Sequence, residues 1–245
     1  MPPGPRMRHR HRAASCCVAS ATRRRALATS GALLVGLAAR VAAGQPVKDR
    51  DRALIDAAAA GDAAGVRALL AKGASVAARD AGGRTALLAA TQGNHVEAAR
   101  LLMQAGADVN AQDANRDSPL LLAGARGHTR IVQLALAHGP DFRVTNRYGG
   151  TALIPACHYG HVETVRVLLG SAIPVDHVND LGWTALLEAI ILGDGGAAHT
   201  EIVRLLVAHR ADVNLADRDG VSPLAHARRR GYRGIAQLLE QAGAR

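Results

Sequence analysis

Four histidines recur in step along the chain: His95, His128, His161 and His199, spaced by 33, 33 and 38 residues. A cysteine, Cys157, stands directly before His158. Regularly placed imidazoles suit metal binding or proton transfer, and a thiol with a nearby base suits nucleophilic catalysis. Gly193-Asp194-Gly195-Gly196 adds a Gly-rich segment of the kind that cradles phosphates or cations. Each reading meets an obstacle. Consecutive helical residues do not share a face, so His158 does not serve Cys157 as a base. The Gly-rich segment does not follow a strand, and one carboxylate cannot supply the several oxygens calcium requires. No Gly-x-x-x-x-Gly-Lys loop, Gly-x-Ser-x-Gly elbow or His-Glu-x-x-His pair occurs. The histidines read better as one structural position repeated, each imidazole bonding local backbone at a helix start. Cys157 reads as a small buried residue. No catalytic residue, metal or cofactor is expected.

The register of the histidines leads to the elements beneath them. Thr85-Ala86-Leu87-Leu88, Ser118-Pro119-Leu120-Leu121, Thr151-Ala152-Leu153-Ile154 and Thr184-Ala185-Leu186-Leu187 recur every 33 residues. Arg52-Ala53-Leu54-Ile55 precedes them by 33, and Ser222-Pro223-Leu224-Ala225 follows by 38. Gly106-Ala107-Asp108-Val109-Asn110 is echoed by Ala211-Asp212-Val213-Asn214 and more weakly by Gly73-Ala74-Ser75-Val76. Within one unit, Thr85, Ser118, Thr151, Thr184 and Ser222 are placed to cap a helix by accepting a backbone N–H. Leu87, Ala90, Val96, Leu101 and Leu102 give the apolar spacing of two short antiparallel helices. Gly106 ends the second helix, and Asp113-Ala114-Asn115-Arg116 makes a projecting turn. The Gly193–Ala198 region is an insertion that lengthens the turn between the two helices of its unit.

This pattern resembles the ankyrin repeat family, whose units have a 33-residue period and a Thr-Pro-Leu-His start. Pro is kept only at Pro119 and Pro223, and the His of that start is replaced in every unit. The resemblance covers about residues 51–245 and implies an all-α solenoid of stacked helix-turn-helix units with projecting β-turn loops. Six units are expected, at 51–83, 84–116, 117–149, 150–182, 183–220 and 221–245. Single units cannot bury their own apolar face, so the ends need polar covers. Arg52, Asp56 and Lys72 provide one, and Arg228, Arg229, Arg230, Arg233 and Glu240 the other.

Ahead of the repeats, residues 1–43 carry eight arginines and no acidic residue. Arg23-Arg24-Arg25 is followed by the uncharged stretch Ala26–Ala39 and then by small residues near Ala43. That order of basic, apolar and small segments is that of a secretory signal. Thr22-Arg23-Arg24-Arg25-Ala26-Leu27 also resembles a twin-arginine export motif, with Ala26 where Phe is usual. The apolar run is too short to span a bilayer. Residues 44–50 then read as a linker. Cleavage near Ala43 would remove Cys16 and Cys17 and place the protein in the periplasm or outside the cell. A start at Met7 or later, with a cytoplasmic protein, is the alternative, and an Arg-rich transit peptide is another.

The leader also explains the charge. The 245 residues carry a formal +10, but without residues 1–43 the balance is 22 basic against 20 acidic residues. A nearly neutral domain without a basic stripe has little affinity for phosphate backbones, so nucleic acid is not an expected partner. Aromatics are only 2% of the chain although 49% is apolar, as a core of closely stacked Ala- and Leu-rich helices would require.

In solenoids the concave face carries function, and in the family resembled it is formed by the turn tips and the exposed side of each first helix. Three of the five aromatics, Tyr148, Tyr159 and Trp183, fall there, with Leu181 and Leu192 beside them. His158 lies on the same face, and Arg84, Arg126 and Arg147 form a basic flank that favours an acidic partner. The sequence therefore points to a non-enzymatic, monomeric module that binds another protein through these residues, with no stable membrane insertion once the leader is removed.

Overall fold

The computed structural model describes residues 45–245. The leader expected at 1–43 lies outside the described residues. Twelve helices run through the described part in pairs. The first helices of the pairs are α1 (Gln45–Ala60), α3 (Ala86–Gln92), α5 (Pro119–Arg126), α7 (Leu153–His158), α9 (Ala185–Ile191) and α11 (Pro223–Arg229). The second helices are α2 (Ala63–Ala71), α4 (Val96–Gln104), α6 (Thr129–Leu136), α8 (Val162–Leu169), α10 (Ala197–Ala208) and α12 (Arg233–Gln241). Each first helix packs on the next first helix and each second on the next second, so the chain forms two layers. Small residues make this stacking close. Ala90, Ala123, Ala156, Ala189 and Ala227 recur at one position of the inner layer and are fully buried. The large core side chains are aliphatic: Leu54, Leu87, Leu153, Leu186 and Ile190 are sealed in, each burial worth about 2 kcal/mol.

The caps follow the hydroxyls in four units. Thr85, Ser118, Thr184 and Ser222 accept from Leu88, Leu121, Leu187 and Ala225 N–H at 3.2–3.3 Å. Thr151 does not cap. Its Oγ1 is buried without a partner, and α7 begins only at Leu153. The cause is Pro155. In the other units the residue four past the hydroxyl returns an N–H to the hydroxyl residue's carbonyl, as Ala89 does to Thr85 and Glu188 to Thr184. Proline has no N–H to give, so the first turn of α7 is not closed.

After α4 the chain closes through Gly106, whose φ of +85° is easy only for glycine. Gly106 N–H bonds Met103 O and Ala107 N–H bonds Leu102 O, the paired bonds of a Schellman ending. Between units, a tight hairpin is organised by one Asp or Asn. The side chain of Asp80, Asp113, Asn146, Asn179 or Asp217 accepts from the N–H groups two and four residues on. Neighbouring hairpins are tied through Ala114 N–H to Gly82 O and Asp180 N–H to Tyr148 O.

Two expectations are corrected. Residues 45–50, read as part of a linker, belong to α1. Good helix formers continue upstream of the first repeat, Pro46 stands in the first turn where it is tolerated, and Asp51 accepts Ser75 N–H at 2.7 Å. The repeated histidines bond backbone, but of the preceding unit and not their own helix start. His95 Nε2 donates to Ala59 O, His161 to Ala125 O and His199 to His158 O, at 2.9–3.2 Å. A flexible side chain in a solenoid lies nearer the adjacent unit's last carbonyls than its own N-terminal N–H groups. His128 stands in the same place with its Nε2 buried and unpartnered. The insertion sits between α9 and α10 and also extends α10 upstream, so that His199 lies inside the helix and Gly196 takes the capping position.

Candidate functional site: the groove of units three to five

The hairpins after units two, three and four overhang the inner helices α5, α7 and α9. The space between them is a groove of about 680 Å³. Hairpin residues Asp117, Asn146, Arg147, Tyr148, Asn179, Leu181 and Trp183 line one side, and helix residues Arg126, Ile154, His158, Tyr159, Glu188 and Leu192 the other. The expected site residues Tyr148, Tyr159, Trp183, Leu181, Leu192, His158, Arg126 and Arg147 are thus brought together. Arg84 is not. Its Nε bonds Asp80 Oδ2 at 3.0 Å and its Nη1 bonds Gln92 Oε1 at 3.0 Å, and it lines a separate recess with Asp51 and Arg79. An arginine after the hairpin carboxylate folds back onto it, so the basic flank reduces to Arg126 and Arg147.

The groove exposes apolar side chains to solvent. Tyr148 is 50% exposed, Tyr159 58%, Leu181 46% and Leu192 42%. With Val178 they are the large hydrophobic side chains exposed among the described residues, and four of these five line this groove. Trp183 is half-buried against its hairpin. Tyr159 stacks on His158 with ring centroids 4.2 Å apart, and the Arg147 guanidinium lies 4.9 Å from the Tyr148 ring centroid. These contacts hold the rings in the opening, where they face solvent.

Comparison with known proteins decides the family. A family model described as Ankyrin repeats (3 copies) matches residues 27–113, 105–179 and 172–245. The chain belongs to the ankyrin repeat family. The crystal structure of an ankyrin repeat domain, ABAYE2397 from Acinetobacter baumannii AYE, superposes with a TM-score of 0.76 at 54% identity. That match covers 78% of this chain and 98% of the other. The ankyrin repeat protein EF0377 gives 0.75 at 40% identity, covering 77% and 96%. The ankyrin repeat protein YahD of Escherichia coli (strain K12) is 53% identical over 57 residues, which are 23% of this chain and 28% of YahD. The chain therefore spans well under half the length of that curated relative.

Several groove residues escaped the sequence reading. Glu188 is the chief one. It stands four residues past Thr184, where the sibling ankyrin units place Ala89, Leu122 and Pro155. A carboxylate at a position that is apolar in units two to four was the signal that could have marked it. Asn179 Nδ2 donates to its Oε1 at 2.9 Å, and His158 Nδ1 lies 3.8 Å from its Oε2. Burial raises its carboxyl to about 7, with the Asn179 bond opposing in part. His158 is held below the usual imidazole range by burial and by His199. Asp117, at the other end, is raised by burial and by Asp113 against the pull of Arg147 and Arg126.

Among the described residues, neither the thiol nor the histidines come together as a reactive group. Cys157 is fully buried, and burial with the Glu188 charge pushes its thiol well up, so it stays protonated. Among the described residues no three His, Cys, Asp or Glu side chains converge on a metal-sized site. No helix among them is long and apolar enough to cross a membrane.

Proposed function

We propose that the chain is a non-catalytic ankyrin module that binds another protein along the groove of units three to five. The observation that carries this is the gathering of Tyr148, Tyr159, Leu181 and Leu192 in one opening by a protein with only five aromatics. Exposed aromatic and aliphatic side chains that converge with arginines are the usual anchors of an interface. Arg126 and Arg147, which make no salt bridge among the described residues, favour an acidic group on the partner at that end. The partner meets a monomer, and meets it in the periplasm or outside the cell. The support for export is the acid-free, Arg-rich order of residues 1–43.

The test is a comparison of captured partner between the wild type and the combined Tyr148→Ala, Tyr159→Ala, Leu181→Ala variant. These side chains are exposed, so the thermal midpoint should stay within a few degrees. Affinity should fall by about a hundredfold or more, the loss typical of removing several anchors. Equal capture by both proteins would overturn the reading. Changing Arg23 and Arg24 to Lys tests the export route, since a twin-arginine signal should then fail.

A further inference from the structure

Glu188 is a charged group at the floor of an apolar groove, and the protein-binding reading does not use it. The residue is 6% exposed yet lines the opening. Its Oε1 is occupied by Asn179, while its Oε2 receives no hydrogen bond among the described residues. The nearest basic group, His158 Nδ1, stands at 3.8 Å, beyond hydrogen-bond reach. No cation of the packed elements lowers its carboxyl: on α10 His199 is engaged with His158 O and Arg204 with Glu201, and on α11 Arg228 is paired with Glu240. On α7, Cys157 is a buried neutral thiol, and on α11 His226 is committed to Asp217 with Nε2 2.6 Å from Oδ2. Arg126 and Arg147 belong to the opposite pole of the groove, beside Asp117. A largely buried carboxylate whose second oxygen reaches only the groove, with no protein donor on it, gains most when a cationic donor arrives there. Tyr159 and Trp183 line the same opening, and aromatic rings are favourable neighbours for a cation.

We propose that Glu188 is the seat of a cationic side chain, arginine or lysine, carried by the partner segment that lies in the groove. This inference rests on the groove being the partner-binding face. It adds a polarity to the bound segment, with an acidic group toward Arg126 and Arg147 and a basic one toward Glu188. A cation arriving there favours the ionised carboxylate over the protonated one. Binding therefore releases a proton, and affinity rises with pH through the region near 7 where the free groove's Glu188 titrates. His158 is held below its usual range by burial and by His199, which favours its neutral form.

Trp183 is the chain's only tryptophan and lines the groove, so its fluorescence reports occupancy. The probes are three capped tripeptides, acetyl-Leu-Arg-Leu-amide, acetyl-Leu-Gln-Leu-amide and acetyl-Leu-Glu-Leu-amide, titrated into the full chain and into Glu188→Gln and Glu188→Leu. The Arg peptide should bind about tenfold more tightly than the Gln peptide at pH 8, as expected for one charge-assisted contact. That advantage should shrink at pH 6 and vanish in both variants. The Glu188→Leu change restores the residue type that unit three carries at Leu122, which guards against loss of fold. If all three peptides bind alike, or the Arg preference survives in both variants, the Glu188 seat falls while the groove stands. A preference for the Glu peptide also removes it. If no peptide alters Trp183 emission while the Tyr148, Tyr159 and Leu181 variant still loses its partner, the Glu188 seat alone falls. If that variant also keeps its partner, the groove reading falls with it.

Discussion

Asn179 and Glu188 are joined at 2.9 Å across nine residues, the amide of a hairpin reaching the fifth position of the helix it precedes, counting from its cap. Asp217 and His226 repeat the relationship one unit later at 2.6 Å. The geometry of the ankyrin unit thus places the hairpin's Asp or Asn against one particular inner-helix position. Whatever polar group evolves at that position finds a ready partner. In units two to four this position is Ala89, Leu122 or Pro155, and the hairpin residue makes no side-chain bond to it.

Stability should report the cost of Glu188. Its folded value near 7 lies above the ordinary 4.5, so the folded state holds the proton more firmly than the unfolded chain. The contribution is fully present below about pH 4.5 and is lost as pH rises through 7. Glu188→Gln removes the titration and can keep the Asn179 bond. The variant should match the wild type near pH 4.5 and exceed it by about 2 kcal/mol at pH 8. Urea unfolding at the two pH values checks this, and a constant difference between the proteins would contradict it.

Thr151 and Thr184 occupy the same place in consecutive units but do different things. Thr184 accepts Leu187 N–H, whereas the Thr151 hydroxyl is buried with no partner. Replacing Thr184 by Val should cost about 1 kcal/mol, the value of a cap. The same change at Thr151 should be neutral or stabilise by up to about 1 kcal/mol, because it removes an unsatisfied hydroxyl without changing shape. Paired denaturant midpoints decide the matter, and equal losses at both sites would show that Thr151 caps in solution.

How far the sequence reached depends on the range of the interactions involved. The repeat, the hydroxyl caps at Thr85 and Ser118 and the turn at Gly106 follow from spacing and local backbone chemistry, both visible in the chain. The clustering of Tyr148, Tyr159 and Trp183 was visible as well, because a fixed period carries each residue to a known face. What stayed hidden depends on a neighbouring unit or on a local exception. The histidines' acceptors lie 36 or more residues away, at Ala59, Ala125 and His158. Arg84 was withdrawn by Asp80, an acid four residues earlier that the sequence reading did not weigh. Pro155 cancelled the Thr151 cap through a missing N–H. Residues 45–50 carry no repeat signature, so their helix was not anticipated.

Tyr232 extends the histidine ladder with a different residue. It stands ten residues past Ser222, as His95 stands ten past Thr85, and it occupies the capping position of α12. Its hydroxyl donates to Gly193 O at 2.9 Å. The insertion in the preceding unit moves the available carbonyl outward, and a phenol reaches it where an imidazole is shorter. Gly195 lies beneath the ring with φ +69°, and a Cβ there would come within 2.4 Å of it. The insertion and Tyr232 therefore act as one joint holding the last unit. Tyr232→Phe should lose that bond at a cost of about 1 kcal/mol. Tyr232→His should cost at least as much, despite restoring the residue used in the other units, because the ring packing on Gly195 is lost along with the reach to Gly193. Amide exchange should show both losses concentrated in α11 and α12. If Tyr232→His proved as stable as the wild type, the joint would not depend on the insertion at all.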